Sequence, residues 1–184
     1  MHQPKAMAYL SSAGATSYTD MTHFAIDLFA DFPLCDRNCS AISLYAAYFN
    51  YDFGNGYIRN IGANNPGEGI AEGASFNGKG NAYPAIGTGQ VGYLKLGYAL
   101  PEKKNSTHTT SRYQLYAAFQ HAAYERLGSR MNLYEGGVNF YMNQYSKFTL
   151  GYQSRPIFDV VSGAKAEEVD RKGMWVLQWQ IKVF

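Results

Sequence analysis

The chain has 184 residues, a formal net charge of +2 and 16% charged residues, where an ordinary soluble domain carries roughly a quarter. That balance is too near neutral for a nucleic-acid partner, and no run approaches the ~18 consecutive apolar residues of a membrane helix. Aromatic residues make up 16%, with 16 Tyr, 11 Phe and 2 Trp beside 19 Gly. A Tyr- and Gly-rich, charge-poor chain points to an all-β protein whose outer surface need not face water.

Apolar and polar residues alternate with period two in successive segments, which predicts about eight strands separated by turn signals. The first lies around KAMAYLSSAG. The second, HFAIDLFADF, sets Phe24, Ile26, Leu28 and Ala30 against Ala25, Asp27, Phe29 and Asp31. The turn after it, LCDRNCS, holds Cys35 and Cys39 at a spacing that allows either a small disulfide loop or two free thiols. A metal site is disfavoured there, because no His or further Cys lies nearby. The third strand, AISLYAAYFNYDF, has aromatics on both rows, so its faces stay unassigned. A long Gly-, Asn- and Pro-rich stretch, residues 54–89, follows and is expected to be a loop.

In the fourth strand Leu94, Leu96, Tyr98 and Leu100 oppose Tyr93, Lys95 and Gly97. In the fifth, Tyr113, Leu115, Ala117 and Phe119 oppose Gln114, Tyr116, Ala118 and Gln120. The sixth sets Tyr134, Gly136, Val138, Phe140 and Met142 against Glu135, Gly137 and Asn139. In the seventh Phe148, Leu150 and Tyr152 face away from Thr149, Gly151, Gln153 and Arg155. Residues 156–173 are expected to form a second long loop. The eighth strand places Trp175, Leu177, Trp179, Ile181 and Val183 on one row and Gln178, Gln180 and Lys182 on the other.

Alternation alone fits a soluble sandwich as well as a membrane barrel. The connections separate them. If the chain ends in the periplasm, the two long links fall on the outer side and the shorter ones on the inner side, the asymmetry of outer-membrane barrels. A structureless link of about thirty residues is unusual inside a compact soluble domain and ordinary as an extracellular loop. The N-terminal MHQPKAMAYLSS has no signal-peptide pattern. Under a membrane reading it has been removed, or the chain is part of a longer one.

The segment NLYEGGVNFYMNQYSKFTLGYQSRPIF resembles the penultimate hairpin of the phosphate-selective porin O and P family in its Bacteroidetes-type branch. GNAYPAIGTGQVGYLKLGYALPEKK is similar to that family's strand entering after a long loop. The resemblance implies an antiparallel transmembrane β-barrel in the outer membrane of a Gram-negative bacterium. Residues 1–184 would form its C-terminal part, about eight of some sixteen strands, the size that leaves an aqueous channel. A closed eight-stranded barrel is the alternative. The terminal aromatic, Phe184, resembles the signal read by the barrel-assembly machinery, but it falls on the row of Lys182 and Gln180 and is out of phase with the apolar row. The family's ladder of basic lumen residues is also missing, so phosphate selectivity is not carried over.

The resulting expectation is a passive diffusion pore for small hydrophilic or anionic solutes. Its partners are membrane lipid, the assembly machinery and either the remaining strands or further copies of the chain, a trimer included. Polar-row residues Asp27, Asp31, Lys95, Gln120, Glu135, Asn139, Arg155 and Lys182 are the candidates for its lining. In a filled barrel the same residues would bond to one another instead. A non-conducting structural or adhesive barrel and a soluble β-sandwich binding module are the other readings. No catalytic constellation, cofactor motif or metal-ligand set stands out. His121 lacks a neighbouring Ser, and the acidic run Glu167, Glu168 and Asp170 reads as a solvated loop.

Overall fold

The computed structural model describes residues 2–10, 16–35, 39–54, 56–62, 82–104, 110–160 and 165–183. No helix occurs among them. Eleven strands do: β1 (His2–Leu10), β2 (Thr16–Pro33), β3 (Ala41–Asp52), β4 (Ile58–Gly62), β5 (Ala82–Gly87), β6 (Gly89–Ala99), β7 (Lys103–Lys104), β8 (Thr110–Tyr124), β9 (Met131–Asn143), β10 (Ser146–Val160) and β11 (Ala166–Ile181). Eight of them form one antiparallel meander in the order β1-β2-β3-β6-β8-β9-β10-β11, with the short β7 against the start of β8 and β4–β5 as a separate hairpin.

These eight are the strands expected from alternation. The alternative of a closed eight-stranded barrel is not what forms. The sheet is open, and β1 and β11 are its two edges. Eight strands at about 4.8 Å each can close only if the end strands meet.

Two of the expected loops are partly strand. Within residues 54–89, β4 pairs β5, from Ile58↔Gly87 to Gly62↔Ala82. Within residues 156–173, β10 and β11 pair onward from Pro156↔Arg171 to Val160↔Ala166 past a bulge at Ile157/Phe158. Pro156 reads as a strand breaker in sequence. It is tolerated because the β9 ladder ends at Ser154↔Tyr134, leaving β10 an edge on that side, where a proline costs no ladder bond. Alternation also fails there, because Ile157 and Phe158 are both buried although they are consecutive.

Register carries one apolar row across seven of the eight strands, β2 to β11. Phe32 pairs Ile42, Ile42 pairs Tyr98, Tyr98 pairs Leu115, Leu115 pairs Val138, Val138 pairs Leu150 and Leu150 pairs Leu177. The pairing also assigns the third expected strand. Ile42, Leu44, Ala46 and Tyr48 join the apolar face, and Ser43, Tyr45, Ala47 and Phe49 the other. A slip of one residue in any strand would send its apolar set to the polar side, so this agreement over seven strands is strongly specifying.

The hydrophobic core does not lie beneath the apolar face. Ile58, Val91, Ala122, Tyr124, Leu127, Met131, Phe158 and Ala166 form a buried cluster at the end of the sheet that carries the long links. By register Val91, Ala122, Tyr124 and Met131 belong to the polar-row face. The β4–β5 hairpin is therefore folded over that face, with Ile58 completely buried beneath it. Thr88 anchors its base: its hydroxyl donates to Gly54 O at 2.6 Å and accepts from Phe53 N at 3.0 Å. Tyr124 Oη adds a bond to Ala85 O at 3.0 Å.

Candidate functional site

One face of the sheet is apolar and uncovered. Leu177 is 77% exposed, Trp175 71%, Ile26 61% and Leu115 49%. Their neighbours Phe24, Leu28, Leu94, Leu96, Leu150 and Trp179 are exposed as well. From Trp175 on β11 to Val183 just past it the row spans nine residues, the length of a tilted membrane-crossing strand. At ordinary strand spacing and a band about 25 Å tall, the face covers on the order of 800 Å². The largest apolar patch of a typical soluble monomer is about 300–600 Å².

Cross-strand aromatic pairs occupy this face. Tyr113 stacks on Phe140 with ring centroids 4.6 Å apart, Phe148 on Trp179 at 5.4 Å, and Tyr152 meets Trp175 edge-on at 5.1 Å. Such pairs stabilise a sheet by packing alone and need no polar partner. Tyr152 also lies against Gly173 on the neighbouring strand, where a Cβ would collide with its ring and hydroxyl.

The opposite face is a hydrogen-bonded polar surface. Gln114 Nε2 donates to Ser43 Oγ at 3.1 Å, and Gln114 Oε1 accepts from Asn139 Nδ2 and from Tyr141 Oη, each at 3.0 Å. Thr149 Oγ1 donates to Asn139 Oδ1 at 2.7 Å. This chain of contacts runs from β3 to β10. Gln114 can reach Ser43 only because β6, the strand between them, has Gly97 at the crossing; a Cβ there would meet both side chains. A second group is centred on Glu135, whose carboxylate accepts from Tyr116 Oη at 2.8 Å and Gln153 Nε2 at 3.0 Å. Tyr116 lies over Gly137 and Gly151, and Lys95 Nζ sits 4.3 Å from its ring centroid. That is cation–π range.

By strand parity the eight lining candidates share this face. The structure divides them. Asp27 and Asp31 on β2 are exposed, Lys95, Gln120 and Glu135 are half-buried, and Lys182 lies exposed just past β11. Asn139 and Arg155 are 6% and 5% exposed, so they are packed among the side chains of this face. Asn139 is consumed by the Gln114 and Thr149 bonds. Gln114, Tyr116, Ser43 and Gly97 organise the face but were not among the candidates. Their signal was available: Tyr116 sits in a polar row whose next two strands carry Gly137 and Gly151.

Cys35 and Cys39 have Cα atoms 5.7 Å apart and are joined as a disulfide across the turn after β2. Phe184 lies outside the described residues. Glu168 of the acidic run pairs with Arg171 at 2.8 Å, and no group of three or more potential metal ligands occurs among the described residues. By sequence position Tyr124, Tyr141, Tyr145, Trp175 and Trp179, near strand ends, suit a membrane interface, and core packing explains some of them equally well. Tyr124 is instead buried in the core cluster, and Tyr141 bonds Gln114 on the polar face.

Comparison with protein-family models, with curated proteins and with solved structures found no match to this chain. Among the described residues no helix is long and apolar enough to cross a membrane, which says nothing of a crossing by strands.

Proposed function

We propose that the chain forms one wall of an outer-membrane β-barrel pore, with the apolar face against lipid and the polar face toward a water-filled lumen. The observation that carries this reading is the uncovered apolar face, continuous in register across seven strands and backed by a bonded polar face. A soluble sandwich would bury its apolar rows against a second sheet. Here the described covering element, the β4–β5 hairpin, packs on the polar side. Further strands along β1 and β11 complete the barrel, since open edges are otherwise a template for aggregation.

On this reading the hairpin narrows the lumen at the end of the long links, and Lys95, Glu135, Asp27 and Asp31 set the field that passing ions meet. The solutes are small and hydrophilic. The test is ion conduction by the native assembly in planar bilayers under a salt gradient. Lys95→Glu exchanges a positive for a negative charge beside Glu135 and is expected to move the reversal potential toward cation selectivity. Arg155→Glu is expected to disturb folding before selectivity, because Arg155 is buried. A conducting assembly whose reversal potential ignores Lys95→Glu would remove this face from the conduction path. An assembly that never conducts, though folded and inserted, would leave a structural barrel.

A further inference from the structure

On β8, β9 and β11 the apolar row ends, toward the long links, in polar and basic groups. His121 lies on the apolar row of β8, opposite Asn132 on β9. With its proton on Nδ1, His121 donates to Asn132 Oδ1 at 2.7 Å, and its Nε2 faces Arg130 Nη1 at 3.4 Å. Arg171 approaches the same asparagine from β11, donating to Asn132 O at 2.5 Å, and holds Glu168 at 2.8 Å. Its guanidinium lies 5.1 Å from the Tyr134 ring centroid. Arg171 is thus paired with Glu168, whereas Arg130, which reaches the cluster through His121, has no ion-pair partner among the described residues. Asp170, the next acid, bonds the Arg171 backbone N–H and belongs to the other face by parity. At the opposite border of the band the corresponding residues are Leu34, Leu100, Met142 and Val183, and none is charged.

Position and chemistry together point to a ligand. Directly below the cluster Phe119 and Tyr134 lie side by side, ring centroids 5.1 Å apart, at the top of the apolar band. A ligand seated on both must be apolar along its length and anionic at its head. Guanidinium groups bind phosphate oxygens through paired N–H donors, and a site at the edge of a lipid-facing band is desolvated enough to strengthen the contact. We infer that Arg130, positioned by His121, together with Asn132 Nδ2 and with Arg171 bracing the asparagine, binds the phosphate of a membrane lipid whose acyl chains lie along the Phe119–Tyr134 side of the band. This inference rests on the membrane reading above. It assigns a headgroup site that composition and alternation do not contain.

The experiment uses the full chain folded in detergent micelles and native mass spectrometry. The probes are dioleoyl phosphatidic acid, its phosphate-free counterpart diolein, and inorganic phosphate as competitor. Phosphatidic acid is expected to remain bound at one per chain, diolein to be lost, and inorganic phosphate not to displace the lipid. Arg130→Ala combined with His121→Ala is expected to weaken retention roughly tenfold, the factor for one charge-assisted hydrogen bond. Arg130 is exposed, so Arg130→Ala alone should leave the fold intact and still weaken binding, which separates a lost site from a lost structure. Equal retention of both lipids, or unchanged retention by the variants, would overturn the site. Displacement by inorganic phosphate at matching concentration would make it a site for a soluble anion and overturn the lipid assignment. A chain that stays dispersed without detergent defeats the membrane reading itself, before any lipid is added.

Discussion

Ile58→Asp is expected to release the β4–β5 hairpin from the polar face while leaving the eight-strand meander intact. Ile58 is fully buried among Val91, Ala122, Tyr124 and Met131. Its removal forfeits about 1.5–3 kcal/mol of apolar burial, and a carboxylate in the same place costs several kcal/mol more unless it neutralises. The hairpin is held at its base by the Thr88 bonds and at Ala85 by Tyr124. Two or three hydrogen bonds at about 1 kcal/mol each cannot offset that loss. The sheet itself is held by its own ladders from β1 to β11 and does not depend on the hairpin. Two measurements check this. Limited proteolysis should cut between residues 54 and 89 many times faster than in the parent protein, and single-channel conductance of the assembly should rise several-fold. Ile58→Val, which keeps the apolar character, should change neither by much. Parent-like cleavage of a folded Ile58→Asp protein would mean that the hairpin is not seated on Ile58.

Leu177→Lys separates lipid from water as the medium beside the apolar face. Leu177 is 77% exposed and stands in mid-band, in register with Leu150, Val138 and Leu115. In water an exposed Leu→Lys change stays within about 0.5 kcal/mol and improves solubility. At the midplane of a bilayer the same change costs about 2–4 kcal/mol. The measurement is the urea midpoint for folding into lipid vesicles, with Gln178→Lys as the control. Gln178 is the next residue along β11 and points to the polar face, so its substitution should be close to neutral. A loss of several kcal/mol confined to Leu177→Lys is the expected result. Equal, negligible effects at both positions would place water on both faces.

Much of the fold was legible in the sequence because a strand's facing has only two states. Phe24, Ile26 and Leu28 against Asp27 and Asp31 leave no ambiguity, and the same holds for Trp175 to Val183 against Gln178 and Lys182. Strand β3 was ambiguous because Tyr45, Tyr48, Phe49 and Tyr51 put aromatics on both rows. Only pairing with β2 and β6 separates them. The hairpin inside residues 54–89 was hidden for a different reason. Ile58 is an isolated apolar residue in a Gly- and Asn-rich stretch, and what fixes it is a surface more than thirty residues away, around Val91, Ala122 and Met131. Pro156 masked the continuation of β10, since whether a proline breaks a strand depends on which neighbours remain beside it. Of the site, the sharing of one face by the polar candidates followed from parity. The burial of Asn139 and Arg155 did not, because it depends on side chains from other strands, for Asn139 those of Gln114 and Thr149. Gln114 reaching over Gly97 to Ser43 is a relation between three strands, beyond any single segment.

Trp175 and Trp179 are the chain's only tryptophans, and both lie on the apolar face, 71% and 61% exposed. Tryptophan fluorescence therefore reports the medium beside β11 with no background. The decisive measurement is emission from the protein in vesicles whose acyl chains carry bromine, compared with quenching by aqueous iodide. If the apolar face lies against lipid, emission shifts to shorter wavelength, bromine quenches strongly and iodide barely acts. Emission that stays red-shifted, open to iodide and indifferent to bromine would contradict a lipid-facing sheet and leave this face for a protein partner.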